Sequence, residues 1–233
     1  MDWDKDILHK ADRVAKMKNK NCIYLIRHSK TKFNNDDNQD AGSIERIRGW
    51  IDLELTREGL EIAKNDAKQF EDIDIDKIIS SDLTRAIQTA KAIADVVLCD
   101  ITLTRDFRPW NLGDLQGKVV TEVLDELSDY ANRPDDEVPG GESFNIFKDR
   151  CLTAFAKVMN KFEKKNKSII IVTHYRNIKL FDAWKNKGTD EFDIDTERFS
   201  DKDKGIDPGV GRIMTISKNN KNEWMLEMEG GEQ

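Results

Sequence analysis

The sequence predicts an α/β fold with three layers, α/β/α, in which a mostly parallel central sheet carries helices on both faces. Three observations lead there. Short apolar runs of strand character alternate along the chain with amphipathic stretches of helical period. One run, SIIIVT at 168–173, is almost entirely β-branched, as expected of a strand covered on both faces. No internal repeat or linker divides the 233 residues, a length at which such folds remain one domain.

Residues 2–19 place Trp3, Ile7, Leu8, Ala11, Val14, Ala15 and Met17 near one stripe, predicting an amphipathic helix within an extension over 1–20. A single domain is expected over 21–233. Its first strand, Cys22–Ile26, ends abruptly in Arg27 and His28. The segment 32–52, with NNDDNQDAGS, is too polar for an internal element and predicts a mobile surface loop. A helix should then start at Thr56 as N-cap, with Leu60, Ile62, Ala63, Ala67 and Phe70 on its apolar side. DKIISS reads as a buried strand, LTRAIQTAKAIADVV as a helix and ITLT as a brief strand.

RDFRPWNLGDLQGK has the Pro, Asn and Gly content of a structured loop. Residues 119–130 look helical and 131–142 look like loop, so that 106–142 forms an insertion over the sheet edge. Ser143 should cap a long helix in which Ile146, Phe147, Cys151, Ala154, Phe155, Val158, Met159 and Phe162 recur every three to four residues. After the 168–173 strand a helix is expected from Arg176 to Lys185, then a polar, acidic and exposed excursion over 186–209. GRIMTIS and EWMLEME, joined by KNNKN, predict a terminal hairpin.

A formal charge of −7 argues against nucleic acid as a partner, since such proteins usually show a basic face that replaces counterions. No run reaches the roughly 20 apolar residues that span a bilayer, so no membrane partner is expected. Cys22, Cys99 and Cys151 are odd in number and lack a C-x-x-C pair, which fits reduced thiols. The first residues show no secretory h-region. Cytoplasmic residence is the expectation.

In open α/β sheets ligands sit outside the carboxyl ends of the strands. There Arg27 and His28 end the first strand, Ser80 and Ser81 the second with Arg85 one helical turn on, and His174 follows IIIVT. Singly, each has an ordinary reading as a structural or surface group, and His9 keeps that reading. Together they suit a tetrahedral anion: guanidiniums match phosphate bidentately, and an imidazole tied through one nitrogen can attack phosphorus through the other. A second imidazolium can hold charge that develops on equatorial oxygens. Phosphoryl transfer is the implied chemistry.

LIRHSKTKFN resembles the R-H-G-x-T-x-x-N signature of the histidine phosphatase superfamily, the phosphoglycerate-mutase-like phosphatases. RIRGWIDLELTREGLEIA, ISSDLTRAIQTA, VPGGES and IVTHYRNIK are similar to further family motifs, in the family's order. The resemblance implies a phosphoglycerate-mutase-like fold and a metal-independent phosphatase without cofactor, in which His28 becomes phosphohistidine. By the same resemblance Arg27, Arg85 and His174 complete the phosphate pocket, Asn34 supports phosphate or nucleophile, and Thr31 and Ser81 lie just behind. Gly49 is expected to make a tight turn near the pocket. The expected partner is a phosphorylated small molecule or protein; oligomeric state is not readable.

The chain departs from that pattern in three places. Ser29 and Tyr175 stand where the family has glycine, and Pro109 stands where it has the glutamate that protonates the leaving oxygen. Asp106, Asp114 and Glu142 are nearby carboxyls, each with an ordinary reading as a turn cap or solvated group. Two further functions stay open: a phosphoglycerate-mutase-type phosphotransferase, and a weakly active member that binds a phospho-ligand or a protein. Trp50 and Trp110 fit either a rim that stacks on substrate or ordinary loop packing.

Overall fold

The computed structural model describes residues 22–34, 45–165, 168–189, 191–201, 203–210, 212–221 and 223–228. The helix expected over 2–19 and most of the polar part of the 32–52 loop lie outside them. Among the described residues the elements are β1 (Ile23–Arg27), α1 (Arg57–Ala67), β2 (Ile75–Ser81), α2 (Thr84–Val97), β3 (Ile101–Thr104), α3 (Val120–Asn132), α4 (Phe144–Lys165), β4 (Ser168–Thr173), α5 (Tyr175–Lys187), α6 (Thr196–Ser200), β5 (Ile213–Lys218) and β6 (Trp224–Met228). The 105–115 loop is built on two 3-10 turns, Arg105–Phe107 and Gly113–Leu115.

The sheet runs β3-β2-β4-β1-β5-β6. β2 pairs in parallel with β3 and β4, and β4 in parallel with β1, whereas the terminal hairpin joins antiparallel. The mostly parallel expectation therefore holds. The chain leaves β1, builds outward through β2 and β3, and returns to insert β4 beside β1. Arg27 is thereby registered against Thr173, so His28 and His174 follow at adjacent strand ends.

Alternation along the strands divides the interior into two layers. Ile23, Leu25, Ile169 and Ile171 pack toward Phe147, Phe155 and Phe181 of α4 and α5. Tyr24, Ile26, Ile170 and Val172 pack toward Phe70 and toward Ala67 of α1 and Ala86, Ala90 and Ile93 of α2. Local chemistry agrees with this plan. Thr56 Oγ1 accepts the Gly59 N–H at 3.0 Å and starts α1; Ser143 Oγ accepts the Ile146 N–H at 3.3 Å and starts α4.

Three expectations need correction. Leu60 is 36% exposed, because Gly59, Ala63 and Ala67 form the buried stripe and Leu60 lies at its edge. Ile146 is 50% exposed for the same reason beside Phe147 and Cys151. The excursion after α5 is not simply exposed: Ile194 and Phe199 are buried. Asp182 of α5 accepts from Arg198 Nε at 2.6 Å and Nη2 at 3.2 Å and from the Ile206 N–H at 3.1 Å. Lys179 Nζ donates to the carbonyls of Asp201 and Lys204. Polar composition concealed a docked segment, since its anchors are the buried side chains of Lys179 and Asp182 on the preceding helix.

Candidate active site

A cavity of about 630 Å³ opens at the carboxyl ends of β1 and β4. Arg27, His28, Arg85 and His174 all line it. The His28 N–H continues the ladder by donating to the Thr173 carbonyl at 2.9 Å, and the two imidazole centroids lie 5.1 Å apart. His28 Nδ1 is 2.7 Å from the Ser29 carbonyl. A carbonyl only accepts, so Nδ1 carries the proton and Nε2 keeps its lone pair.

His174 is held from the other side. Its Nε2 is 2.9 Å from Ser81 Oγ, while its Nδ1 is buried without a hydrogen-bond partner among the described residues. Arg85 donates to the carbonyls of Ile51 and Gly49, each at 2.8 Å, and Arg27 Nη1 donates to the Pro208 carbonyl at 3.0 Å. The Nε atoms of both arginines are buried and without a partner among the described residues. Gly49 takes φ +46°, and a Cβ there would overlap the Gln116 side chain, so its expected turn is real.

Arg48 is a third guanidinium in this wall, bridged to Glu45 at 3.1 Å and donating to the Phe33 carbonyl at 2.9 Å. Burial, followed by the charge of Arg48, pushes Arg27 down to about 10 and Arg85 down to about 9; both remain cations at neutral pH. Burial, then Arg85, holds His28 and His174 well below the ordinary imidazole value. By themselves these effects favour the neutral form of His174. An oxyanion among these groups acts in the opposite direction and favours its protonation.

Thr31, Asn34 and Ser81 do not line the cavity. The N–H and Oγ1 of Thr31 both donate to Asn34 Oδ1, at 2.9 and 3.0 Å, closing the turn after β1. Ser29 points away: Oγ donates to the Gly59 carbonyl at 2.8 Å and its N–H to Thr89 Oγ1 at 3.0 Å. Tyr175, by contrast, lines the cavity with its ring 5.3 Å from Arg27 Cζ.

Pro109 is in the lining, but Asp106, Asp114 and Glu142 are not. Glu142 Oε1 accepts from the Asn111 N–H at 2.8 Å and from Arg150 at 2.7 Å, which makes it a tie within the loop. Trp50 donates to the Pro109 carbonyl at 2.7 Å and packs under the Arg108 guanidinium at 4.7 Å; Trp110 is fully buried and stacked on Phe147. Trp50 packs the loop, whereas Trp110, buried within it, also contributes to the cavity lining. Sequence reading missed Glu45, Arg46, Arg48, Arg176 and Asp207, all in the lining. The closely spaced arginines of RIRG in an acidic chain were the available signal. Among the described residues no three His, Cys, Asp or Glu side chains gather to hold a metal ion, and no helix is long and apolar enough to cross a membrane.

The model of the histidine phosphatase superfamily (branch 1) matches residues 23–194. The chain belongs to that superfamily. A phosphoglycerate mutase-like protein 4 of Arabidopsis thaliana is 33% identical to it over 162 residues, 65% of either chain. A probable phosphoglycerate mutase of Salmonella choleraesuis is 31% identical over 142 residues, 59% of this chain and 62% of that one. The matches thus span a little under two thirds of these relatives' lengths. The alpha-ribazole phosphatase of Shigella flexneri superposes with a TM-score of 0.66 over 91% of this chain and 100% of that chain. At 21% identity that likeness speaks for the histidine phosphatase fold alone.

Proposed function

We propose that this superfamily member is a metal-independent phosphatase working through a phosphohistidine on His28. One observation carries the reading: with Nδ1 bound to the Ser29 carbonyl at 2.7 Å, Nε2 faces a cavity walled by Arg27, Arg48, Arg85 and His174. Nε2 attacks phosphorus, a P–N bond forms, and the P–O bond to the leaving oxygen breaks with its electron pair. Water then attacks phosphorus, the P–N pair returns to Nε2, and inorganic phosphate leaves. The guanidiniums stabilise the charge on the equatorial oxygens in both steps. Thr31 and Asn34 act by shaping the turn that carries His28, and Ser81 by orienting His174.

Positioned general acid catalysis is worth roughly 10²–10⁴-fold. With Pro109 in the acid's place, groups that leave as stabilised anions are favoured over alkoxides. A mutase-type phosphotransferase is less well supported: the stretch 119–142 gives the cavity Val119, Val120, Thr121 and Leu124, none of them basic. The substrate is a phosphorylated small molecule, or a protein side chain reaching the same cavity. The odd number and wide spacing of Cys22, Cys99 and Cys151 accord with a cytoplasmic, reducing setting.

The test is hydrolysis of p-nitrophenyl phosphate between pH 5 and 8, with acid-labile phosphoryl trapped on the protein. Activity that survives chelator and disappears in His28→Ala is expected. Wild-type protein that neither releases p-nitrophenol nor traps phosphoryl would leave a binding module as the better reading.

A further inference from the structure

The phosphate end accounts for only part of the cavity. A volume of about 630 Å³ is that of a site for a whole organic ligand, well beyond what phosphate alone fills. Its remaining wall carries the apolar side chains Ile47, Leu112, Val119, Val120, Leu124 and Phe199, and two carboxylates already paired with arginines, Glu45 with Arg48 and Asp207 with Arg212. One cation stands on this wall without an assignment.

Of the five arginines in the lining, four have hydrogen-bond partners. Arg27, Arg46, Arg48 and Arg85 donate to the carbonyls of Pro208, Gly117, Phe33 and Gly49, and Arg48 also bridges Glu45. Arg176, in the first turn of α5, has no hydrogen bond or ion pair among the described residues; its contact is the Phe199 ring, 5.9 Å from Cζ. A guanidinium at a cavity wall without a hydrogen bond or ion pair among the described residues is a ready partner for an anion. Burial lowers its proton affinity, while Tyr175 and then Glu45 act the other way, as a ligand's negative charge would.

We propose that Arg176 binds a second anionic group, so that the site takes phosphomonoesters whose organic part is an apolar ring or chain bearing a carboxylate or a second acidic group. Phosphate lies among Arg27, Arg48, Arg85 and the two histidines, the apolar part on Ile47, Leu112 and the α3 side chains, and the second anion on Arg176. The assignment rests on the phosphatase reading and names its substrate class.

Binding separates the two claims. In His28→Ala protein, which cannot be phosphorylated at that position, calorimetry compares phenyl phosphate with 4-carboxyphenyl phosphate. The carboxylate should tighten binding by about 10-fold, the order of one charge-assisted pair. Adding Arg176→Gln should bring the ratio of the two Kd values to near unity, and Arg176→Lys should keep part of it. Equal affinities, a ratio unmoved by Arg176→Gln, or failure of both probes to bind overturns the inference. Turnover by wild-type protein is read separately. Hydrolysis of phenyl phosphate without carboxylate preference in binding leaves the phosphatase and removes the subsite; preference without hydrolysis leaves the subsite and removes the phosphatase.

Discussion

Ser81 Oγ lies 2.9 Å from His174 Nε2, and this contact decides which face of the second imidazole meets an anion. Oγ also receives the Leu83 N–H at 3.5 Å. When Oγ gives its own proton to Nε2, the ring proton resides on Nδ1, the buried nitrogen without a hydrogen-bond partner among the described residues, and Nδ1 is then a donor.

Ser81→Ala removes that choice of tautomer without touching the arginines. The expected loss in kcat/KM is roughly fivefold, the worth of about 1 kcal/mol. It should appear with p-nitrophenyl phosphate while far-ultraviolet circular dichroism and thermal midpoint stay near wild type. A loss confined to stability would assign Ser81 to the fold instead.

Pro109→Glu places a carboxyl on the cavity wall where the superfamily's acid resides. Alkyl phosphates should gain on the order of 10-fold in kcat, toward the lower end of general acid catalysis. p-Nitrophenyl phosphate should gain little, because its leaving group needs no proton. Equal gains for both would mean that the substitution acts on loop geometry.

Both histidines are held neutral, which links stability to pH. Their folded pKa values lie below the unfolded value near 6.5, so below that pH the unfolded chain binds more protons. Stability present above pH 6.5 should fall as the pH drops toward 5. Burial and the charges of Arg85, Arg48 and Arg27 oppose protonation of both, joined by His174 at His28 and by Arg150 at His174. Inorganic phosphate should therefore raise the thermal midpoint more at pH 5.5 than at pH 7.5, and His28→Asn should flatten the decline. A pH-independent midpoint would contradict this.

Gly49→Ala strains a backbone at φ +46° and drives a Cβ into Gln116. Because the Gly49 carbonyl holds Arg85 Nη2 at 2.8 Å, the change should reach the phosphate end as well. A stability loss of about 1–3 kcal/mol is expected from urea unfolding, with weaker phosphate binding. Destabilisation without weakened binding would uncouple this turn from Arg85.

Much of this was legible because local chemistry and tertiary structure agree. Thr56 and Ser143 cap helices as their spacing from the following apolar stripes implies, and SIIIVT is buried at every position. His28 and His174 could be placed because each ends an apolar strand, and parallel pairing brings such ends together. Arg48 and Arg176 were not readable in the same way. Their neighbours in sequence are ordinary, and their roles arise from Glu45, Phe199 and a cavity assembled by distant segments. Likewise, the stretch around Phe199 reads as solvent-facing because nothing in its composition shows that Asp182 and Lys179 await it.

Helix α5 begins with His174 at its cap and, roughly one and a half and two turns later, holds Lys179 and Asp182, which moor the segment carrying Phe199, Ser200 and Asp207. One helix thus carries His174 at its cap and, along its flank, the moorings of a segment that walls the same cavity. A change in those moorings would reshape the wall through Phe199, Ser200 and Asp207 rather than through the histidine.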